Sequence, residues 1–342
     1  MSITIIQDRS MLIDIIVYLL FVITFNYSNW TYKEFLPSVL IIGVYTAINF
    51  SEYKINVLMP LLVIQSISAI KLRRYLWINL FVMCGMLLYM QIKYGLGNNM
   101  ASIYSTDRKV RMSFGFNHPN VAAMYYYCAI VNGMLLLGYS KWKKVIPFYL
   151  ILVIPIWLFI YKKTGSRSFI LSIVLLYFSY VYYYIGSFIN RKRLFVLSKY
   201  LIYTLLFLFT GLTLYFSLNN TEYFELNRLL SGRLSFYNKF FSELTVKDFF
   251  FGSEAYGNYI IDSSYVHLLF EAGIFFFLFF CYFYWLGVNS MIKEKAWIPI
   301  CVIISFLAYG LMETFLLYGM LIGTNIFWVL LYFYYRNGKM VF

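Results

Sequence analysis

The chain has 342 residues, of which 62% are hydrophobic and 12% charged, and its mean hydropathy is +0.72. A water-soluble domain is nearer half apolar and a quarter charged, so lipid is expected to surround much of this chain. The apolar residues form continuous runs without the alternation of a membrane β-barrel. The composition therefore predicts an all-α polytopic membrane protein, with residues 1–342 as one integral membrane domain.

The formal net charge of +14 raises the question of a nucleic-acid partner. The basic residues, however, lie in short clusters between apolar runs, as they do in the cytoplasmic loops of membrane proteins. We therefore expect no nucleic-acid partner. The four cysteines lie within apolar runs and lack metal-ligand spacing, so packing is their expected role.

A membrane-spanning helix needs about 20 mainly apolar residues. The sequence offers eleven candidates, of which the second and third are short, so we expect ten or eleven spanning helices. They lie near residues 11–25, 36–50, 55–70, 75–92, 119–138, 145–161, 168–189, 198–217, 263–288, 296–313 and 315–335.

The basic clusters predict the orientation of these helices, because cytoplasmic loops carry an excess of Lys and Arg. From residue 71 onward the clusters agree at every crossing, whereas the balanced charges near the N-terminus leave its side open. The clusters are KLRR (71–74), KWKK (141–144), NRKR (190–193), MIKEK (291–295) and RNGK (336–339).

This orientation places residues 93–118, 162–167 and 218–262 outside. The last is a long loop, rich in Phe and Tyr, with a helix-like run at 232–244. Unstructured loops of such length are uncommon in compact domains. We therefore expect it to contain short helices and to fold over the outer face.

The stretch RMSFGFNHPNVAAM, residues 111–124, leads into a helix that starts on the outer side. Pro119 suits the first helical position, with Asn117 or His118 at the cap. A helix start carries partial positive charge and free N–H groups, which favour anions. Arg111 and His118 add donors, so the stretch indicates a phosphate site; a plain helix cap beside lipid headgroups is the alternative.

A second outward-starting helix begins in TGSRSFILS, where Ser166 is a suitable cap and Arg167 lies in the first turn. A cation in that turn opposes the helix dipole, which favours a bound anion nearby. An arginine that extends to the lipid headgroups is the alternative.

A third begins in DSSYVHLLFEAGI, with Asp262 as the predicted cap. His267 and Glu271 follow four residues apart on one helix face. Glu271, Glu313 and Asp14 are carboxylates in apolar sequence. Such groups usually face a partner or a polar cavity; for Glu313 a structural partner is at least as good an interpretation, and Asp14 has none.

Several chemistries lack their sequence signature. The chain has no phosphate-binding P-loop, no glycine-rich dinucleotide fingerprint and no HExxH zinc motif. Ser263 and Ser264 lie near His267, but no nucleophile elbow accompanies them. We therefore expect neither a nucleotide site nor a serine nucleophile.

Four blocks lie in order along roughly residues 108–277: RMSFGFNHPNVAA, TGSRSFILS, LLSGRLSFYNKFFSE with FFFGSEAYG, and DSSYVHLLFEAGI. Together they resemble the bacterial O-antigen and capsular polysaccharide polymerases (Wzy-type), a family related to the O-antigen ligases. The resemblance implies a GT-C-like fold in the bacterial cytoplasmic membrane, multi-pass, with the active site on the extracytoplasmic face.

The resemblance also implies the activity, a metal-independent glycosyltransferase. Such an enzyme moves a glycan from undecaprenyl pyrophosphate to the terminal sugar hydroxyl of another lipid-linked repeat unit. It needs no cofactor, because the pyrophosphate linkage is already activated. Donor and acceptor are both undecaprenyl-pyrophosphate-linked oligosaccharides held in membrane lipid. The resemblance further implies two candidate protein partners, a chain-length regulator and a flippase.

The expected site residues follow from this chemistry. Arginine forks suit a pyrophosphate, and an acceptor hydroxyl needs a carboxylate or histidine within hydrogen-bond reach. In the ligase relatives a histidine stands where this chain has Asp262, so Asp262 is our first choice as base and His267 our second, with Glu271 supporting them. The predicted pyrophosphate-binding residues are Arg111, Arg167 and Arg233, with His118 and Arg228 as further candidates.

A lipid-linked oligosaccharide flippase or other transporter is the leading alternative. It would also bind a polyprenyl substrate, but it predicts charged residues along a path through the bilayer and internal pseudo-symmetry. The chain instead places its polar groups at outer helix ends and in one loop. A receptor or structural membrane protein is the third interpretation.

Overall fold

The computed structural model describes residues 69–94, 111–116, 118–189, 191–253, 261–317 and 323–339. Every regular element in these ranges is helical. The predicted spans at 11–25 and 36–50, nearly all of 55–70, and also Asp14 and Asn117, lie outside the described residues.

Eleven helices of six residues or more can be followed in the described ranges. They are α1 (Ala69–Tyr94), α2 (Pro119–Gly138), α3 (Ile146–Thr164), α4 (Arg167–Ile189), α5 (Arg191–Leu218), α6 (Phe224–Leu229), α7 (Arg233–Glu243), α8 (Val246–Phe251), α9 (Ile274–Lys293), α10 (Trp297–Gly310) and α11 (Asn325–Lys339).

Six of these helices, α1 to α5 and α9, are long and apolar enough to cross a membrane. α10 and the apolar part of α11 are shorter. The prediction of an all-α polytopic membrane protein is therefore confirmed. The spans predicted at 75–92, 119–138, 145–161, 168–189 and 198–217 correspond to α1 to α5.

The predicted span at 263–288 is wrong as a single helix. A short helical segment, Ser264–Val266, continues as a π-helical turn, His267–Glu271, and the chain breaks before α9 begins at Ile274. Gly273 sits in the break at φ 84° and ψ 160°, a conformation open to glycine and few other residues.

The break is the place where the end of α8 crosses the chain. A Cβ on Gly252, which follows α8, would collide with the carbonyl oxygen of Glu271, and a Cβ on Gly273 would lie 2.5 Å from the carbonyl oxygen of Phe250. Two glycines are therefore needed for this close backbone approach. The crossing joins the short helices of residues 218–253 to the region of His267.

α10 lies at the centre of the bundle. All its residues from Pro299 to Gly310 are buried, as expected for a helix that is apolar on every face. It packs against α4 and, less extensively, against α2, α5 and α9. The spans predicted at 296–313 and 315–335 run past the observed helices, because the chain leaves α10 at Gly310 and forms a 3-10 turn, Thr314–Leu317, before α11.

Candidate functional site

Arg111 is tied to the turn that joins α3 to α4. Its Nε atom donates to the carbonyl oxygen of Thr164 at 2.5 Å, and its Nη2 atom donates to Oδ1 of Asn120 at 2.5 Å. The backbone N–H of Met112 donates to the carbonyl oxygen of Lys163. Gly165, at φ +61°, allows the Arg111 side chain to lie against its backbone. The arginine is thus fixed between the end of α3 and the start of α2.

The start of α2 agrees with the sequence prediction. His118 is the N-cap residue, its Nδ1 atom accepts from the backbone N–H of Asn120 at 3.1 Å, and Pro119 takes the first helical position. Burial, with a smaller contribution from the Arg111 charge, lowers the pKa of His118 to about 4. The imidazole is therefore neutral at pH 7, so Arg111 carries the positive charge at this helix start.

Arg233 begins α7 and makes two close polar contacts. Its Nη1 atom donates to the carbonyl oxygen of Met312 at 2.7 Å, and its Nη2 atom lies 2.8 Å from Oδ2 of Asp262. The two side chains of this ion pair are 20% and 33% exposed, so both retain access from outside. The pair connects the short helices of residues 218–253 with the bundle.

The predicted capping role of Asp262 is wrong. The N-cap residue of the next helical segment is Ser263, and its side chain makes no capping bond. The Asp262 carboxylate is instead paired with Arg233. The guanidinium group carries a full positive charge and a backbone N–H only a partial one, which favours the ion pair.

Glu313 lies just beyond α10 and is the point where several elements meet. Its Oε1 atom accepts from Nδ2 of Asn120 at 2.6 Å and from Oγ of Ser168 at 3.2 Å, and lies 3.9 Å from Nη2 of Arg233. Its backbone oxygen accepts from Oγ of Ser264 at 2.5 Å. Burial raises the pKa of Glu313 to about 7, and the Arg233 charge opposes that shift.

His267 and Glu271 form a buried pair behind Asp262. Nδ1 of His267 faces Oε2 of Glu271, and Nε2 of His267 donates to the carbonyl oxygen of Ile261 at 2.8 Å. The His267 side chain has no exposed surface and that of Glu271 is 9% exposed. Their contacts hold the backbone just before Asp262.

The two remaining predicted residues lie apart from this network. Arg228 is exposed and pairs with Glu225 within α6 at 2.7 Å. Arg167 is the first residue of α4 and partly buried, and it forms no ion pair with another described residue. Its neighbour Ser168 does belong to the network through Glu313.

The structure therefore brings together four of the predicted residues: Arg111, His118, Arg233 and Asp262. It adds three that sequence reasoning did not assign to the site, namely Asn120, Ser168 and Glu313. A glutamate in apolar sequence was a usable signal for Glu313. Asn120 and Ser168 gave none, because short polar side chains near helix starts are common caps.

The site offers fixed guanidinium groups, the positive end of α2 and two carboxylates. Such a set can bind a doubly charged anion and accept a proton from a hydroxyl group. Within the described ranges no three His, Cys, Asp or Glu residues are grouped so that they could hold a metal ion.

No family model, no curated protein and no solved structure matches this chain.

Proposed function

We propose that this protein is a polysaccharide polymerase of the Wzy type. It transfers a glycan from undecaprenyl pyrophosphate to the terminal sugar hydroxyl of a second lipid-linked repeat unit. The observation that carries the proposal is that Arg111 and Arg233 belong to one network of hydrogen bonds and ion pairs, through Asn120 and Glu313, together with Asp262. These residues come from four distant parts of the sequence.

The reaction explains why guanidinium groups would be gathered here. The bond between the anomeric carbon of the donor sugar and the pyrophosphate oxygen breaks, and a new glycosidic bond forms to the acceptor oxygen. The leaving group is undecaprenyl pyrophosphate, which gains negative charge as the bond breaks. Preorganised donors aimed at developing charge usually supply the largest catalytic effect, and arginine forks suit two linked phosphates.

The acceptor hydroxyl loses its proton in the same step, and a nearby carboxylate can take it. Asp262 remains our candidate for this base. Its side chain is partly exposed beside Arg233, so proton acceptance and anion binding would occur next to each other. His267 and Glu271 support this arrangement through Ile261.

The location of the network supports an extracytoplasmic site. The basic cluster KWKK at residues 141–144 follows α2 directly, whereas the network lies at the start of that helix. The positive-inside rule assigns the cluster to the cytoplasm, and therefore the start of α2 to the other side. Polymerisation of lipid-linked repeats in the bacterial cytoplasmic membrane would then take place on its outer face.

Deleting the gene in its host tests the proposal. We expect surface glycans of a single repeat, with lipid-linked repeats accumulating on the outer face, and no polymer. Re-expression of the wild-type chain should restore the polymer. Loss of all surface glycan, with lipid-linked repeats retained on the cytoplasmic face, would instead identify a flippase.

A further inference from the structure

The side chain of Asn120 lies between a cation and an anion. Its Oδ1 atom accepts from Nη2 of Arg111 at 2.5 Å, and its Nδ2 atom donates to Oε1 of Glu313 at 2.6 Å. A guanidinium group can only donate hydrogen bonds, whereas an ionised carboxylate can only accept them. The amide therefore has one orientation that satisfies both neighbours, and its two ends are not interchangeable.

The backbone of Asn120 is held as well. Its N–H donates to Nδ1 of His118, and its carbonyl oxygen accepts from the hydroxyl group of Tyr309 at 3.4 Å. The residue is 8% exposed. Both the position and the direction of the amide are thus fixed by its surroundings.

Glu313 connects Asn120 to the second arginine, Arg233. The oxygen atom that accepts from Asn120 lies 3.9 Å from Nη2 of Arg233 and also accepts from Ser168. A carboxylate between two guanidinium groups offsets their mutual repulsion. Hydrogen bonds therefore join Arg111 to Asn120 and Asn120 to Glu313, and an ion pair at 3.9 Å joins Glu313 to Arg233.

We propose that Asn120 and Glu313 are the positioning residues that hold the guanidinium groups of Arg111 and Arg233 at a fixed separation and direction, so that both reach one diphosphate. This inference rests on the proposed function and identifies how its anion site is built. Asn120 and Glu313 act through the arginines and do not themselves react.

Exchanging the charge between the two residues tests this role. Asn120→Asp alone places a second carboxylate against Glu313, and we expect kcat/KM for polymer formation to fall about tenfold or more, chiefly through KM for the lipid-linked donor. Glu313→Gln alone keeps an acceptor for Asn120, so we expect a smaller loss. In the double variant the carboxylate at position 120 can accept from Arg111 and from the amide at position 313. The hydrogen bonds between positions 111, 120 and 313 are then restored, with the negative charge at position 120 instead of 313.

The double variant should therefore recover about tenfold over Asn120→Asp. Residues that interact directly show such non-additive effects, whereas independent residues add. The assays are best run at pH 8, where Glu313, with its pKa of about 7, is mostly ionised. A double variant no better than Asn120→Asp would overturn the positioning role.

A matched control is available on the same helix. Asn132 is also buried in α2, where its Nδ2 atom donates to the carbonyl oxygen of Leu76, far from the network. We expect Asn132→Leu to retain polymer formation and Asn120→Leu to lose it, at similar levels of folded protein. Equal losses in both variants would mean that Asn120 serves only to stabilise the helix.

A second measurement separates this inference from the proposed function. Inorganic pyrophosphate should raise the Tm of the purified wild-type protein and of the double variant, but raise that of Asn120→Asp much less, because ligands that bind only the folded state stabilise it. If the Tm shifts follow this pattern but the wild-type protein makes no polymer, the proposed function is wrong and the positioning role stands. If the wild-type protein makes polymer but the losses in the two single variants simply add in the double variant, the proposed function stands and the positioning role is wrong.

Discussion

The Nη2 atom of Arg233 lies 2.8 Å from Oδ2 of Asp262, and the same guanidinium group donates from Nη1 to the carbonyl oxygen of Met312. The Arg233 side chain thus joins the start of α7 to Asp262 and to Met312, which lies two residues beyond the end of α10. A planar fork with several fixed N–H groups suits two acceptors that lie in different directions.

Replacing Arg233 by Lys should therefore impair polymer formation by about tenfold or more, because a single ammonium group cannot replace a two-sided fork. The measurement is the amount and length of polymer made at matched protein levels. Arg228→Lys is the control, since Arg228 lies in the same loop and its ion pair among the described residues is with the exposed Glu225. Exposed pairs of this kind contribute little, so polymer should be unchanged. Equal effects in both variants would remove Arg233 from the site.

Arg167→Lys should also reduce polymer formation at normal protein levels. Arg167 begins α4 beside Ser168 and has no ion pair with a described residue. If it binds the pyrophosphate, as the sequence predicts, a point charge would not reproduce its bidentate fork. Polymer yield and length relative to wild type provide the measurement. Wild-type polymer from this variant would exclude Arg167 from pyrophosphate binding.

The lowered pKa of His118 predicts that the folded protein loses stability in acid. Burial lowers its folded-state pKa to about 4 from an ordinary value of 6.5. Between these values the unfolded chain binds the proton and the folded chain does not, so the free energy of unfolding falls as pH drops from about 6.5 towards 4. The Tm of the purified protein, measured in detergent at pH 7 and at pH 5, should show this fall.

His118→Asn is the matched variant, because an Asn side chain can cap the helix through its oxygen atom but does not titrate. Its Tm should fall less between pH 7 and pH 5 than that of the wild type. The same fall in both proteins would show that His118 is not the group responsible.

Gly252→Ala should destabilise the protein strongly. Gly252 has φ +97°, and a Cβ there would meet the carbonyl oxygen of Glu271; the conformation alone costs about 1–3 kcal/mol. Gly211→Ala is the control, since a Cβ on this helical glycine meets no heavy atom within 4 Å. We expect a lower Tm and lower yield for Gly252→Ala, and a Tm for Gly211→Ala that is unchanged or slightly higher. A normal Tm for Gly252→Ala would contradict the close crossing.

Hydropathy predicted the helices that lipid or the core surrounds, and α1 to α5 lie close to their predicted positions. It failed at 263–288, because the apolar character of that stretch is continuous. The break there depends on the crossing of Gly252 and Gly273, which lie far enough apart in sequence that no local pattern records it. Tertiary contact, rather than composition, determines where α9 begins.

The sequence also could not decide which polar side chains join the network. Arg228 and Arg233 lie five residues apart in one loop and both were candidates from the sequence, yet one is exposed and the other joins the network. Helix-start chemistry was sufficient to find Arg111 and His118. Asn120 needed the structure, because its hydrogen bond to Glu313 joins residues 193 positions apart.

The most direct measurement is polymer formation by the purified protein in lipid nanodiscs, supplied only with the lipid-linked repeat unit of its host. We expect chains of several repeats, with one undecaprenyl pyrophosphate released for each new glycosidic bond, and no requirement for added sugar nucleotide. Repeats that stay single, with no undecaprenyl pyrophosphate released by a folded wild-type protein, would contradict the proposed activity.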